Sequence, residues 1–271
     1  MRTAPKSAQL MPQMHFRRLV SFAAFLLFAV SCSAQTFQVH GRTLFLNCTG
    51  NAPGPTVILV SGAGGTSEIW QQVQPQIAHF ARVCSYDRAG LGKSTRISVP
   101  QTVNEIVNDL NELLTAAKIP PPYVLVGHSI GGIYIRSYDQ RFDGQVAAMV
   151  LVDSSHEEQI WRFAANDPKF LDEYPEWKDT LAMKLQGFLP PHQPLQWHFS
   201  KPLIVLEHGV PPEPTWHALQ VDLASRSPLG KLKTAEHSDH FIQLNQPDLV
   251  IDSVHEVLRQ AAKPPTKPAH P

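Results

Sequence analysis

The 271-residue sequence has no prevailing charge: Lys+Arg and Asp+Glu are both 23, so the formal net charge at pH 7 is zero. Nucleic-acid binding draws on a basic footprint, and a balanced chain does not supply one. Charge is also scarce. Charged residues are 17% and hydrophobic residues 43%, which excludes a disordered chain of the low-hydropathy, high-charge kind. Cysteine is limited to three residues, and no Cys–His cluster has zinc spacing. No internal repeat is present. The apolar run Leu19 to Val30 is too short to span a bilayer, which takes about 20 residues.

That run belongs to an export signal. Arg2, Lys6, Arg17 and Arg18 precede it without an acidic residue, and Ser31-Cys32-Ser33-Ala34 follows it. A basic start, a short apolar core and a small-residue exit read as a secretory signal peptide over residues 1–34, cleaved after Ala34. The chain is therefore expected to be exported, to the periplasm or the medium. Lipidation at Cys32 is the minority alternative, because Ala29-Val30-Ser31-Cys32 lacks the usual leucine three places before the cysteine. Residues 35–262 are then one domain, and 263–271 form a Pro-rich tail that reads as disordered. Cleavage leaves Cys48 and Cys84. In an oxidising compartment an even pair suggests a disulfide, with two buried free thiols as the alternative.

Phe37 to Thr43 and Leu44 to Thr49 read as short strands around Gly41-Arg42. Thr56–Val60 is a β-branched run without alternation, as expected of a strand buried on both faces of a parallel sheet. Arg82–Asp87, Tyr123–Val126, Ala147–Val152 and Leu203–Leu206 repeat the pattern. Between them, Thr102–Ala117 places Val103, Ile106, Val107, Leu110, Leu113 and Leu114 on one helical face, and Thr102 with Glu105 matches a capping box. Further helices are expected at Glu68–Phe80, Gly132–Phe142, Thr215–Ser225 and Pro247–Ala262. Strands alternating with helices imply an α/β fold with a doubly wound parallel sheet. Ser154 to Ser200 interrupts the alternation and holds Trp161, Phe163, Phe170, Tyr174, Trp177, Phe188 and Trp197. It is too long for an ordinary connection and reads as an inserted helical cap.

Gly127-His128-Ser129-Ile130-Gly131 follows one of these strands and opens a helix. At a strand–turn–helix junction, G-x-S-x-G is a nucleophile elbow: the turn is tight, and small residues flank the serine so that neighbouring backbone can approach. Ser129 then projects at the C-terminal edge of the sheet, where α/β folds place their sites. An alcohol needs a base, and the base an orienting acid. His240 is the expected base, because Phe241-Ile242-Gln243-Leu244 would anchor its loop; His237 is the alternative. Asp153, ending the strand Ala147–Val152, is the favoured acid, with Glu207 and Glu213 as alternatives. Ser61-Gly62-Ala63-Gly64-Gly65 ends another strand, and its glycines let backbone N–H groups reach a bound carbonyl. The expected oxyanion donors are the N–H groups of Ala63 and Ile130. A phosphate-binding loop is excluded: Ser67 stands where a third glycine belongs, and no G-K-[ST] is present. His128 reads as a packed neighbour of the elbow. Asp87 and Arg88 read as parts of a structural turn that pair or cap.

With Tyr86-Asp87-Arg88-Ala89-Gly90-Leu91-Gly92-Lys93-Ser94, Ser61–Gly64 with Trp70, and Ser238-Asp239-His240-Phe241 before Pro247, the chain resembles the α/β-hydrolase superfamily from about Phe37 to Ala262. The resemblance implies eight strands, mostly parallel with one antiparallel, and helices on both faces. It puts the second and fourth strands side by side, which brings Cys48 next to Cys84 and favours the disulfide. Two features depart from the family. Ser61 replaces the usual histidine before the oxyanion glycine, and the usual acid position after the seventh strand lacks an aspartate. Some members take the acid from the sixth strand, where Asp153 falls.

The expected function is hydrolysis of small or medium acyl substrates, carboxylic esters first, by Ser129, His240 and Asp153. An amidase, peptidase or lactonase would use the same triad. A non-catalytic binding protein on the same fold is the reading of another class. The expected partner is a small-molecule substrate, with no metal, organic cofactor or nucleic acid, and no membrane span after signal removal.

Overall fold

The computed structural model describes residues 34–262 apart from 168, 174 and 176–196. The expected signal sequence up to Ser33, the lipidation candidate Cys32, the tail from 263, and Tyr174, Trp177 and Phe188 of the expected cap lie outside the described residues.

Eight strands form one sheet in the order β1-β2-β4-β3-β5-β6-β7-β8. They are β1 (Gln35–Val39), β2 (Arg42–Thr49), β3 (Thr56–Val60), β4 (Val83–Asp87), β5 (Tyr123–His128), β6 (Val146–Val152), β7 (Leu203–His208) and β8 (Gly230–Ala235). β2 pairs antiparallel with both β1 and β4, and every other pairing is parallel, so β2 alone runs against the rest. The first hairpin turns at His40 and Gly41, both at positive φ, one residue earlier than the sequence suggests.

The central strands are buried on both faces, which explains their unbroken apolar runs. Ile58, Leu125, Met149, Leu151 and Val205 face one core. Val57, Leu59, Val124, Val126, Val150 and Leu206 face the other. Helices α2 (Val103–Ala116), α3 (Gly131–Arg141) and α6 (Pro214–Ser225) cover the first. The second lies under α1 (Gln74–Ile77), α7 (Ile242–Asn245) and α8 (Pro247–Ala261). The capping box of α2 forms: Glu105 N donates to Thr102 Oγ1 at 3.3 Å and Thr102 N to Glu105 Oε2 at 2.7 Å. Between β6 and β7 lie α4 (Gln159–Asn166) and α5 (Phe170–Glu173). Phe163 stacks on Phe170 at 5.3 Å. Trp197 does not stay with these aromatics. It is buried in the domain core, where its Nε1 donates to Asp139 at 3.0 Å.

Two expectations change. The helix expected over Glu68–Phe80 is a 3-10 turn at Ser67–Trp70 followed by the single-turn α1. Pro75 lacks an N–H and would collide with the Gln71 carbonyl in a continuous helix, so it starts a new turn instead. β8 was not visible in the apolar pattern. It is an edge strand whose Lys231 and Lys233 meet Glu256 of α8 at 2.6 and 2.8 Å, and lysines are a common way of protecting an edge.

Cys48 and Cys84 sit opposite each other on β2 and β4 and are joined by a disulfide. The bridge spans a sequence separation of 36 residues. Replacing both with serine is expected to lower the unfolding free energy by about 3–4 kcal/mol, because the unfolded chain regains the freedom of that loop. A reduced urea midpoint measures it.

Candidate active site

The site builds up at the C-terminal ends of β3, β5, β6, β7 and β8. Ser129 follows β5 with φ +54°, left-handed backbone that a non-glycine residue occupies at a cost. The surrounding chain enforces it. Ser129 N donates to Val152 O at 3.0 Å, and its carbonyl accepts from Gly132 N and Ser155 N, each at 3.0 Å. The elbow is thus tied to the end of the neighbouring strand. A Cβ at Gly131 would lie 2.4 Å from Val60 O, and one at Gly127 2.7 Å from the Gly131 carbonyl. Both positions need glycine because backbone passes against backbone.

Asp153 ends β6, also in left-handed backbone at φ +43°. It is wholly buried, and its carboxylate collects donors from three directions. His240 Nδ1 lies 2.6 Å from Oδ2. Trp216 Nε1 donates to Oδ1 at 2.7 Å. His208 N donates to Oδ1 at 3.0 Å, and His208 Nδ1 lies 3.0 and 2.9 Å from the two oxygens. Burial alone would raise the carboxyl. The hydrogen bonds from His208 and His240 overcome it and hold Asp153 at about 2, below its ordinary 3.8.

The structure separates the other carboxylates from His240. Glu207 accepts from Thr234 Oγ1 at 2.7 Å and pairs with His217 Nδ1 at 2.9 Å. Glu213 caps α6, accepting from Thr215 N at 3.1 Å and from Trp216 N. His237 lies on an exposed turn, where its N–H donates to Gln246 Oε1 at 2.8 Å. The residue that docks the His240 loop is Ile242, fully buried, whereas Phe241 is 42% exposed.

His128 lies between the elbow and the base. Its Nε2 donates to the His240 carbonyl at 2.9 Å, its ring sits 4.6 Å from the His240 ring, and its Nδ1 has no hydrogen-bond partner among the described residues. Burial, then the neighbouring His240, push it down to about 4. At neutral pH it is an uncharged strut. Asp153 and His240 are joined directly. Ser129 stands beside them, and no hydrogen bond links its Oγ to the His240 ring among the described residues. Such contacts are commonly long without substrate and tighten when it binds.

The loop after β3 is held by Ser61 and Arg88. Ser61 Oγ donates to Thr66 O at 2.8 Å and accepts from Trp70 Nε1 at 3.1 Å. Arg88 Nη1 and Nη2 donate to the Ser61 and Gly62 carbonyls at 2.6 and 2.5 Å. With those carbonyls turned toward Arg88, a Cβ at Gly62 would come within 3.0 Å of Ser129 Cβ, so the loop passes directly over the serine. The N–H groups of Ala63 and Ile130 carry no protein hydrogen bond among the described residues. Asp87 caps, as expected: it accepts from Ser67 N at 2.7 Å and Lys93 N at 2.8 Å. A cavity of about 270 Å³ begins at Ala63 and Gly64 and runs between Arg88, Ile97, Ile106 and Tyr134.

His208 and Trp216 are the site residues that sequence reasoning missed. His208 leaves a trace in the sequence, a histidine at a strand end beside Glu207; Trp216, inside a helix, leaves none.

A family model described as alpha/beta hydrolase fold matches residues 55–230. The chain is 27% identical over 236 residues to the uncharacterized protein YqjL of Bacillus subtilis (strain 168), covering 82% of this chain and 91% of that protein. Three further curated relatives are longer, and the chain spans 20%, 15% and 33% of them. Among solved structures, a thermophilic esterase from Thermogutta terrifontis superposes with a TM-score of 0.62 at 19% identity, over 85% of this chain and 100% of that one. The enol-lactonase from Burkholderia xenovorans LB400 does so at 0.62 and 18%, over 83% and 100%. These likenesses are of fold.

The buried carboxylate carries a stability prediction. The folded Asp153 binds its proton less readily than the unfolded one, so its contribution is present above about pH 4 and lost as pH falls through about 2. The shift from 3.8 to about 2 corresponds to about 2 kcal/mol. In denaturant unfolding followed from pH 5 to 2, Asp153→Asn is expected to lose that part of the slope.

Proposed function

The chain belongs to the α/β-hydrolase fold family, and on that premise we propose that it is an exported serine hydrolase of small or medium carboxylic esters. The observation that carries the reading is the bond of 2.6 Å between His240 Nδ1 and the buried Asp153 carboxylate, beside a serine held in left-handed backbone at the end of β5. In this reading Ser129 Oγ attacks the ester carbonyl while His240 Nε2 takes its proton. Asp153 holds the imidazole in the tautomer with Nδ1 protonated and stabilises the imidazolium that forms. The N–H groups of Ala63 and Ile130 stabilise the developing oxyanion. The imidazolium gives its proton to the leaving alcohol, and water, activated by the same histidine, releases the acid from Ser129.

A cavity of about 270 Å³ adjoins the proposed oxyanion donor Ala63, next to the loop that passes over Ser129, and offers room for one part of a substrate. Its walls mix Ile97 and Ile106 with Gln101 and Tyr134, which suits an acyl or alcohol group of intermediate polarity. Export is supported by the basic start, the apolar run and a bridge that persists in oxidising compartments. A cyclic ester is the second reading, favoured by the fold shared with the enol-lactonase. Amides and peptides would need the same groups, and rates on an ester, its lactone and its amide separate the three.

Intact mass after fluorophosphonate treatment tests the proposal. The wild type is expected to gain one adduct on Ser129, and Ser129→Ala none. His240→Ala is expected to label about 10²–10⁴-fold more slowly, and Asp153→Asn by a comparable factor. A folded wild type that takes no adduct would overturn the hydrolase reading in favour of a binding protein. Slow labelling in Glu207→Gln or Glu213→Gln with normal labelling in Asp153→Asn would move the acid.

A further inference from the structure

The mechanism above leaves His208 without a role, although among the described residues it makes the most hydrogen-bond contacts to the Asp153 carboxylate. It ends β7, the strand beside β6. Its main-chain N–H occupies Oδ1 at 3.0 Å while its Nδ1 sits across both oxygens at 3.0 and 2.9 Å. Trp216 Nε1 also takes Oδ1, at 2.7 Å. Oδ1 is thereby saturated, and Oδ2 is presented to His240. The torsion that turns a carboxylate about its own bond is broad and weakly restricted. Without donors fixing the plane, Asp153 could rotate and share its oxygens among its neighbours.

The geometry points to His208 as a positioning residue: it clamps the Asp153 carboxylate plane so that Oδ2 faces His240, and its own proton sets how much negative charge that carboxylate offers the base. The inference rests on the proposed Ser129–His240–Asp153 reading and deepens it, adding a control of the same site by pH.

The groups facing His208 come from four elements. Asp153 lies at the end of β6, Glu207 is its neighbour on β7, and Glu213 and Trp216 belong to the start of α6. The His240 ring, in the loop after β8, lies beyond the carboxylate. The hydrogen bond to Asp153 raises His208 above its ordinary value, burial opposes this, and the charges of Asp153, Glu207 and Glu213 add to the rise. When His208 carries a proton, the carboxylate between the two imidazoles is partly neutralised. It then stabilises the His240 imidazolium less. Removing the His208 charge while keeping a donor should reverse this.

His208→Asn keeps an N–H close to the position of Nδ1 and does not titrate. In the full chain, with hydrolysis of a p-nitrophenyl ester followed across pH, the acid limb of kcat/KM is expected to move to higher pH by on the order of one unit. His208→Ala, which also frees the carboxylate plane, is expected to lose kcat about 10- to 100-fold with little change in KM, and its fluorophosphonate labelling at Ser129 should slow in parallel. An acid limb in His208→Asn that superimposes on the wild type overturns the inference, and that variant decides the matter alone if the alanine variant does not fold. The labelling experiment keeps the two readings apart. A wild type that labels at Ser129 beside an unshifted asparagine variant removes the role of His208 only. A wild type that does not label removes the hydrolase reading and this inference with it.

Discussion

A wholly buried carboxylate is the constraint on which the site depends. An isolated charge in a protein interior is untenable unless donors surround it, and Asp153 meets that requirement with groups drawn from β7, α6 and the loop after β8. Satisfying the charge therefore brings three separate parts of the chain to one point. His240 is held there as one of those donors, so its orientation follows from the electrostatics of a carboxylate that cannot be left bare.

The serine is tied to the same point by a different force. Backbone hydrogen bonds join Ser129 to Val152 and Ser155, on either side of Asp153, so the elbow and the acid ride on adjacent strand ends. Glycines at 127 and 131 permit this because a side chain at either would strike main chain. On the other side, Arg88 draws the Ser61 and Gly62 carbonyls away from the serine. The Gly65 N–H is taken up by the Gly62 carbonyl, and the Ala63 N–H is the one the loop can offer a developing oxyanion. Beneath α6 a buried ionic cluster joins Arg136, Glu157 and Arg226, and Arg226 reaches Asp222 at 2.6 Å. It anchors the helix that carries Trp216. Arg136 itself is pushed down to about 10 by burial, with Glu157 pulling the other way.

Much of this was legible in the sequence because it follows from steric rules that act locally. Unbroken β-branched runs marked the buried strands, and Gly127, Ser129 and Gly131 marked a turn that only small residues can make. Thr102 and Glu105 marked a helix start. What escaped reading depends on contacts distant in sequence. His208 and Trp216 approach Asp153 from 55 and 63 residues away, and neither sits in a motif. β8 escaped because its lysines break the apolar pattern, the partner that explains them being Glu256, on α8. The helix expected near Glu68 failed at Pro75, where the local rule was present but was outweighed by apolar periodicity. Ser61 is a further case: only the indole of Trp70 and the carbonyl of Thr66 reveal how it holds a loop that a histidine holds elsewhere in the family.

In the proposed triad it is Asp153, among the described carboxylates, that accepts the hydrogen bond from His240 Nδ1–H. Proton NMR of the far-downfield region tests it directly, since an N–H held in a short bond to a buried carboxylate is strongly deshielded and protected from exchange. The account predicts one such signal that disappears in His240→Gln and in Asp153→Asn and persists in Glu207→Gln and Glu213→Gln. A signal lost in His240→Gln that survives Asp153→Asn, or that vanishes with either glutamate, would contradict it.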